Sequence, residues 1–200
     1  MKKIIALIAA LSLFSLTACG QGNYAATLGE ITISQKDLQS KVDEVLKARE
    51  GVDTTQMQLQ TGGELNRGIL GFEIITTIFE EIAKELKLEI TTAEITKASA
   101  SLIQDNGGTE SFANNLVAAS MAESTFPDYV RAILVSDKLS TALQASGIAE
   151  ADVSAKISEL VTAKAKELKI TVNPRYGKWD DATGTVVAAD SAGDAVQGTE

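Results

Sequence analysis

The sequence of 200 residues contains no histidine, one cysteine and two prolines. Without histidine there is no Ser-His-Asp triad, no Cys-His dyad, no HExxH zinc site and no haem-type His ligation. One cysteine permits no internal disulfide and cannot by itself supply a Cys₄ zinc site or hold an iron–sulfur cluster. Positive charge is scarce, with 18 Lys and Arg against 27 Asp and Glu and a net charge of −9. Nucleic acid, whose phosphates need a basic face, is not an expected partner. Also missing are a G-x-x-x-x-G-K-[ST] phosphate loop, a G-x-G-x-x-G turn, an S-x-x-K pair and a calcium loop. No metal or cofactor is expected. What remains is 44% hydrophobic and 22% charged, an ordinary globular balance of about one domain.

The longest charge-free apolar run is Ile4–Leu16, behind Lys2 and Lys3. A transmembrane helix needs about 20 apolar residues, so this run reads as a signal-peptide core. Leu16-Thr17-Ala18-Cys19 then resembles the bacterial lipobox. That resemblance implies cleavage after Ala18 and lipidation, diacylglyceryl and acyl (palmitate-type), of Cys19, the only cysteine. Two or more acyl chains give stable anchoring where one is marginal. The expected location is the cell membrane, lipid-anchored on its extracytoplasmic face. Removing Lys2 and Lys3 with the leader takes the charge from −9 to −11.

The expected organisation is a signal peptide (1–18), a tether (19–26), a helical domain (27–179) and a disordered acidic tail (180–200). The tail is rich in Ala, Gly, Ser and Thr, with valine its largest apolar side chain. Such a segment buries too little surface to offset its ordering entropy. Thr27–Ile33 reads as a strand, with Gly29-Glu30 a possible tight turn within it. Ser34 with Asp37 opens a helix to about Glu50, with Leu38, Val42, Val45 and Leu46 on one face. From Glu64 to Leu88, the stripe Leu65, Ile69, Phe72, Ile75, Phe79, Ile82 and Leu86 predicts a long central helix. Thr91 and Glu94 form a capping box for a helix to about Gln104. Shorter helices follow over 109–119 and from Thr125, with Pro127 in the first turn. Gly147 ends that helix, and Ala149–Leu168 is the last. Ile170-Thr171-Val172 reads as a strand. The expected fold is mainly α: five to six packed helices, with a two-stranded β element where 27–33 meets 170–179.

In their order, these features resemble the N-terminal domain of the SurA/PrsA-type extracytoplasmic chaperones. The motifs are Leu28-Gly29-Glu30-Ile31-Thr32-Ile33-Ser34, Ile90-Thr91-Thr92-Ala93-Glu94-Ile95, the Phe112 helix, Tyr129-Val130-Arg131 and the closing Asn173-Pro174-Arg175-Tyr176-Gly177-Lys178-Trp179. Larger members carry a parvulin prolyl-isomerase domain between the last two helical segments. Here Gly147–Ala151 joins those helices directly, and the histidines of that active site are absent. The resemblance implies the chaperone-type fold without the isomerase, and unfolded or exported polypeptides as partners.

Met57, Phe112, Met121 and Phe126 are the candidate peptide-binding residues, because Met-rich and aromatic surfaces adapt to varied partners. Phe72 and Phe79 are assigned to the core. Arg175, Tyr176 and Trp179 are read as a latch for the terminal strand, and Lys164, Lys166 and Lys169 as a solvated helix end. Glu80 and Glu81 point about 100° apart on a helix, so they are no acid/base pair. The expected function is chaperone-like binding without catalysis. The alternatives are a lipoprotein adaptor with one specific partner and a prolyl-isomerase-related protein.

Overall fold

The computed structural model describes residues 23–189. The leader, Cys19 and residues 190–200 lie outside the described residues. Strands β1 (Tyr24–Leu28) and β2 (Ile31–Ser34) form an antiparallel hairpin around Gly29-Glu30. Gly29 takes φ +59, where a Cβ is penalised. The fold therefore begins inside the segment read as a tether, at Tyr24 instead of Thr27. The reason is pairing on both sides. β1 lies between β2 and β3 (Thr171–Val172), with Ala26 opposite Val172. Ala25 and Ala26 are fully buried there, since their small side chains let the strand lie close to the core. Asn173 secures the far end, its Nδ2 donating to Tyr24 O at 3.0 Å.

Among the described residues, six α-helices follow the hairpin. Helix α1 (Gln35–Arg49) is capped by Ser34 Oγ, which accepts from Asp37 N at 3.0 Å. It buries Leu38, Val42 and Val45. Leu46, expected on the same face, is 45% exposed. Helix α2 (Gly62–Glu85) is central, touching α1, α5, α6, β1 and a second hairpin. Leu65, Leu70, Ile74 and Ile78 on it are essentially inaccessible. A partly buried Lys41–Glu73 ion pair crosses from α1 to α2.

Helix α3 (Thr92–Asp105) opens with the complete Thr91/Glu94 capping box but buries no residue. Helix α4 (Gly108–Ala118) buries only Val117. A single 3₁₀ turn, Glu123–Thr125, leads into α5 (Phe126–Ala145), with Pro127 in its first turn. Thr125 holds the N-cap position without capping. Its hydroxyl donates instead to Ala122 O at 2.7 Å within the preceding turn. Helix α6 (Glu150–Glu167) packs on α2 and α5.

The largest departure from the sequence reading lies at the C-terminal end. Strands β4 (Lys178–Asp180) and β5 (Thr185–Val187) form an antiparallel hairpin that carries the fold past residue 179 into the stretch read as a disordered tail. Asp180 shapes its turn, accepting from Ala182 N at 2.9 Å and Thr183 Oγ1 at 3.0 Å. Gly184 then takes φ +66. Val186 is buried against α2. The segment has too little apolar surface to fold alone, but α2 lends it a surface to cover.

Candidate functional site

The site is built on one strip of α2. Residues 64, 68, 71, 72 and 75 lie three or four apart and share a helix face. Two of them are glycines, Gly68 and Gly71, so the middle of the strip has no side chains. Gly71 faces the second hairpin at ordinary contact distance, and the Gln60 side chain lies directly over Gly68, where an added Cβ would stand 2.4 Å from Gln60 Oε1. The result is a groove of about 430 Å³ with Gly68, Gly71, Phe72 and Ile75 on one side and Gly184–Val186 on the other. A second depression of about 260 Å³ adjoins it, sharing Gln60, Gly68 and Phe72. Ile69, Met121 and Ala122 also line that part.

The wall around Met121 is held by polar ties to α1. Arg49 Nη2 donates to Ser120 Oγ at 2.8 Å. The Glu44 carboxylate accepts from Ser124 N at 2.8 Å and Ser124 Oγ at 2.6 Å. Charged hydrogen bonds of this kind are stronger than neutral ones. They fix a connection that has little apolar surface of its own.

Of the four residues read from the sequence as peptide-binding, Met121 lines this groove. Phe126 does not, because it is only 7% exposed and belongs to the interior. Its ring meets Phe112 edge-on, with centroids 4.6 Å apart. Phe112 is half-buried in that pair. Met57 is half-buried in the connection between α1 and α2 and is not among the residues that line the groove. The aromatic chain continues from Phe126 to Tyr129 and on to Phe72, each step 6.3 Å. Phe72, assigned from its spacing to the core, is half-buried and forms the groove end of that chain. Phe79 packs against the core, partly buried.

Of the three residues read as a terminal latch, Tyr176 and Trp179 pack on the core. Arg175 Nη1 donates to Gln35 Oε1 at 3.1 Å, and Trp179 Nε1 to Asp181 Oδ1 at 3.0 Å. Gly68, Gly71, Arg67 and Val186 were missed. A Gly-x-x-Gly pair inside an apolar helix was the available signal, since glycine there weakens the helix unless something approaches closely.

The groups held away from their ordinary pKa values do not line the groove. Lys138, then the Thr91 backbone and hydroxyl, hold the Glu94 carboxyl at about 2. Glu167 and Glu85 push the Lys164 ammonium up. Among the described residues, no three His, Cys, Asp or Glu side chains gather as a metal site. None of the described helices is long and apolar enough to cross a membrane. The groove thus offers shape and apolar surface, with no cluster of perturbed acids or bases. A family model described as the SurA-like N-terminal domain matches residues 1–140, ending within α5. No curated protein and no solved structure matches the chain.

Proposed function

Because the chain belongs to the SurA-like N-terminal domain family, we propose that its groove holds apolar segments of unfolded or exported polypeptides, without catalysis. The family is of chaperone type. The observation that supports the reading best is the glycine-floored groove between α2 and β5, continuous with the Met121 depression. Burial of client side chains supplies about 25 cal/mol per Å² of apolar area, less the cost of ordering the client. A flexible methionine that lines the depression together with Ile69 and Phe72 suits clients of varied shape.

In the same reading, Cys19 carries the lipid and holds the domain at the extracytoplasmic face of the cell membrane. Two acyl chains make that attachment stable. Replacing Cys19 by serine releases the protein from the membrane fraction, and retention there overturns the anchor.

The binding reading is tested by adding the lipid-free protein, residues 20–200, to a denatured model protein at equal molar amounts. Light scattering from aggregation falls, and the Phe72→Ala variant loses most of that effect while its circular dichroism is unchanged. Undiminished scattering with the domain folded overturns the chaperone reading.

A further inference from the structure

At the α1 side of the groove lies a separate cavity of about 300 Å³, lined by Gln39, Gly63, Asn66, Arg67, Arg175 and Tyr176. Arg67 lines both the cavity and the groove, so the two adjoin. The cavity has two guanidinium groups and no carboxylate among its lining residues. That is unexpected in a chain with 27 acids and 18 bases. Arg67 is half-buried and makes no hydrogen bond or ion pair among the described residues. Arg175 Nη1 donates only to a neutral partner, Gln35 Oε1. The amides beside them are committed: Asn66 Nδ2 donates to Gly62 O at 3.1 Å, and Gln39 Nε2 to Asp43 Oδ1 at 2.8 Å. The nearest acid along the strip, Glu64, lines the groove and not the cavity.

Two guanidinium groups that lack an acidic partner fit a planar oxyanion, and a carboxylate can accept from the fork of either. The apolar groove next to them fits the residues flanking it. We propose that the cavity binds the carboxylate of an acidic side chain in a polypeptide whose neighbouring apolar residues occupy the groove. The inference rests on the polypeptide-binding reading and adds to it a charge requirement. It also accounts for how a chain of net charge −9 accepts an acid: the long-range field repels, and the arginine pair attracts at contact range. An extended segment sends alternate side chains to opposite sides, so an internal acid enters the cavity without ending the chain. An exported polypeptide has one C-terminus and many internal acids, which favours the side chain as occupant.

The test uses three labelled peptides with one apolar sequence, measured against residues 20–200 by fluorescence anisotropy. The first has an internal glutamate and an amidated C-terminus. The second has glutamine at that position, also amidated. The third has the glutamine and a free C-terminal carboxylate. The glutamate peptide is expected to bind about tenfold tighter than the amidated glutamine peptide. In the Arg67→Gln/Arg175→Gln variant the two bind alike, at the level of the glutamine peptide. Arg67→Lys keeps part of the preference, because it restores charge without the fork. Equal binding of the first two peptides to the unaltered protein overturns the inference and leaves the groove reading intact. So does a preference that survives in the double variant, or a gain confined to the free C-terminus. Failure of all three peptides to bind overturns the groove reading and this inference together.

Discussion

At the scale of single residues, several side chains stand where their type is not the easy choice. Lys87 and Ser120 take φ +54 and +55 just after α2 and α4. Each occupies the left-handed position of a helix-ending loop. Leu88 N closes the loop onto Ala83 O at 2.8 Å, and Met121 N onto Leu116 O at 3.0 Å. Gly147 does the same after α5. Glycine suits that position best, and an L-residue costs about 1–2 kcal/mol there. Part of the gain is lost because glycine also loosens the unfolded chain. Lys87→Gly is therefore expected to raise stability by about 0.5 kcal/mol in urea denaturation. Lys164 poses a different question. It is 8% exposed, and its ammonium reaches Glu167 at 2.7 Å and also Glu85, both well exposed. Its aliphatic stem is long enough to pack while the ammonium stays with these carboxylates. Lys164→Met should change stability by less than about 1 kcal/mol, whereas Lys164→Ala loses about 1–2 kcal/mol through lost packing. Equal losses in the two variants would assign the effect to charge.

At the scale of elements, the helices were legible because their ends are written locally. Ser34, Thr91 and Gly147 lie at the boundaries where their chemistry places them. Thr125 shows the limit of such signals, since its hydroxyl found a closer acceptor in Ala122. The second hairpin was illegible from composition, because its burial belongs to α2 and not to itself. Asp180 and Gly184 nevertheless spelled its turn. The groove was legible in part: Met121 sits in it, but Phe126 points inward. Periodicity ranks faces of a helix, and it cannot tell a face that is covered from one left open beside two glycines. Among the described α-helices, α3 alone has no buried residue. It is held to α5 by Lys138, which meets Glu94 Oε1 at 2.7 Å and donates to Glu89 O at 2.6 Å. Glu94 has a folded pKa of about 2, below its ordinary 4.5. A depressed carboxyl stabilises the folded form above its unfolded pKa, and that contribution fades as pH falls from about 4.5 toward 2. Hydrogen exchange is expected to show α3 amides losing protection across that window before α2 does. Glu94→Gln should lower α3 protection at neutral pH and flatten its pH dependence. An α3 as protected as α2 at pH 3 would contradict this account.

At the scale of the molecule, the sheet ties the two ends of the fold, and the second hairpin makes the last segment a wall of the groove. Removing residues 182–200 deletes β5 and leaves β3 paired with β1. That exposes the α2 strip and uncovers the surface that Val186 buries, a loss of about 2 kcal/mol. Binding of apolar peptides should weaken several-fold while the helical content is retained. Unchanged affinity would place the binding surface elsewhere.

The position of β1 in the middle of its sheet sets an order of events. Its partner on one side is β2, a few residues away. On the other side the chain returns only after most of its length, with Asn173 bonded to Tyr24 across a separation of 149 residues. During folding β1 is therefore paired on one side only until β3 arrives, because long-range closures of this kind come late. Until then the second edge of β1 is open to pairing with another strand.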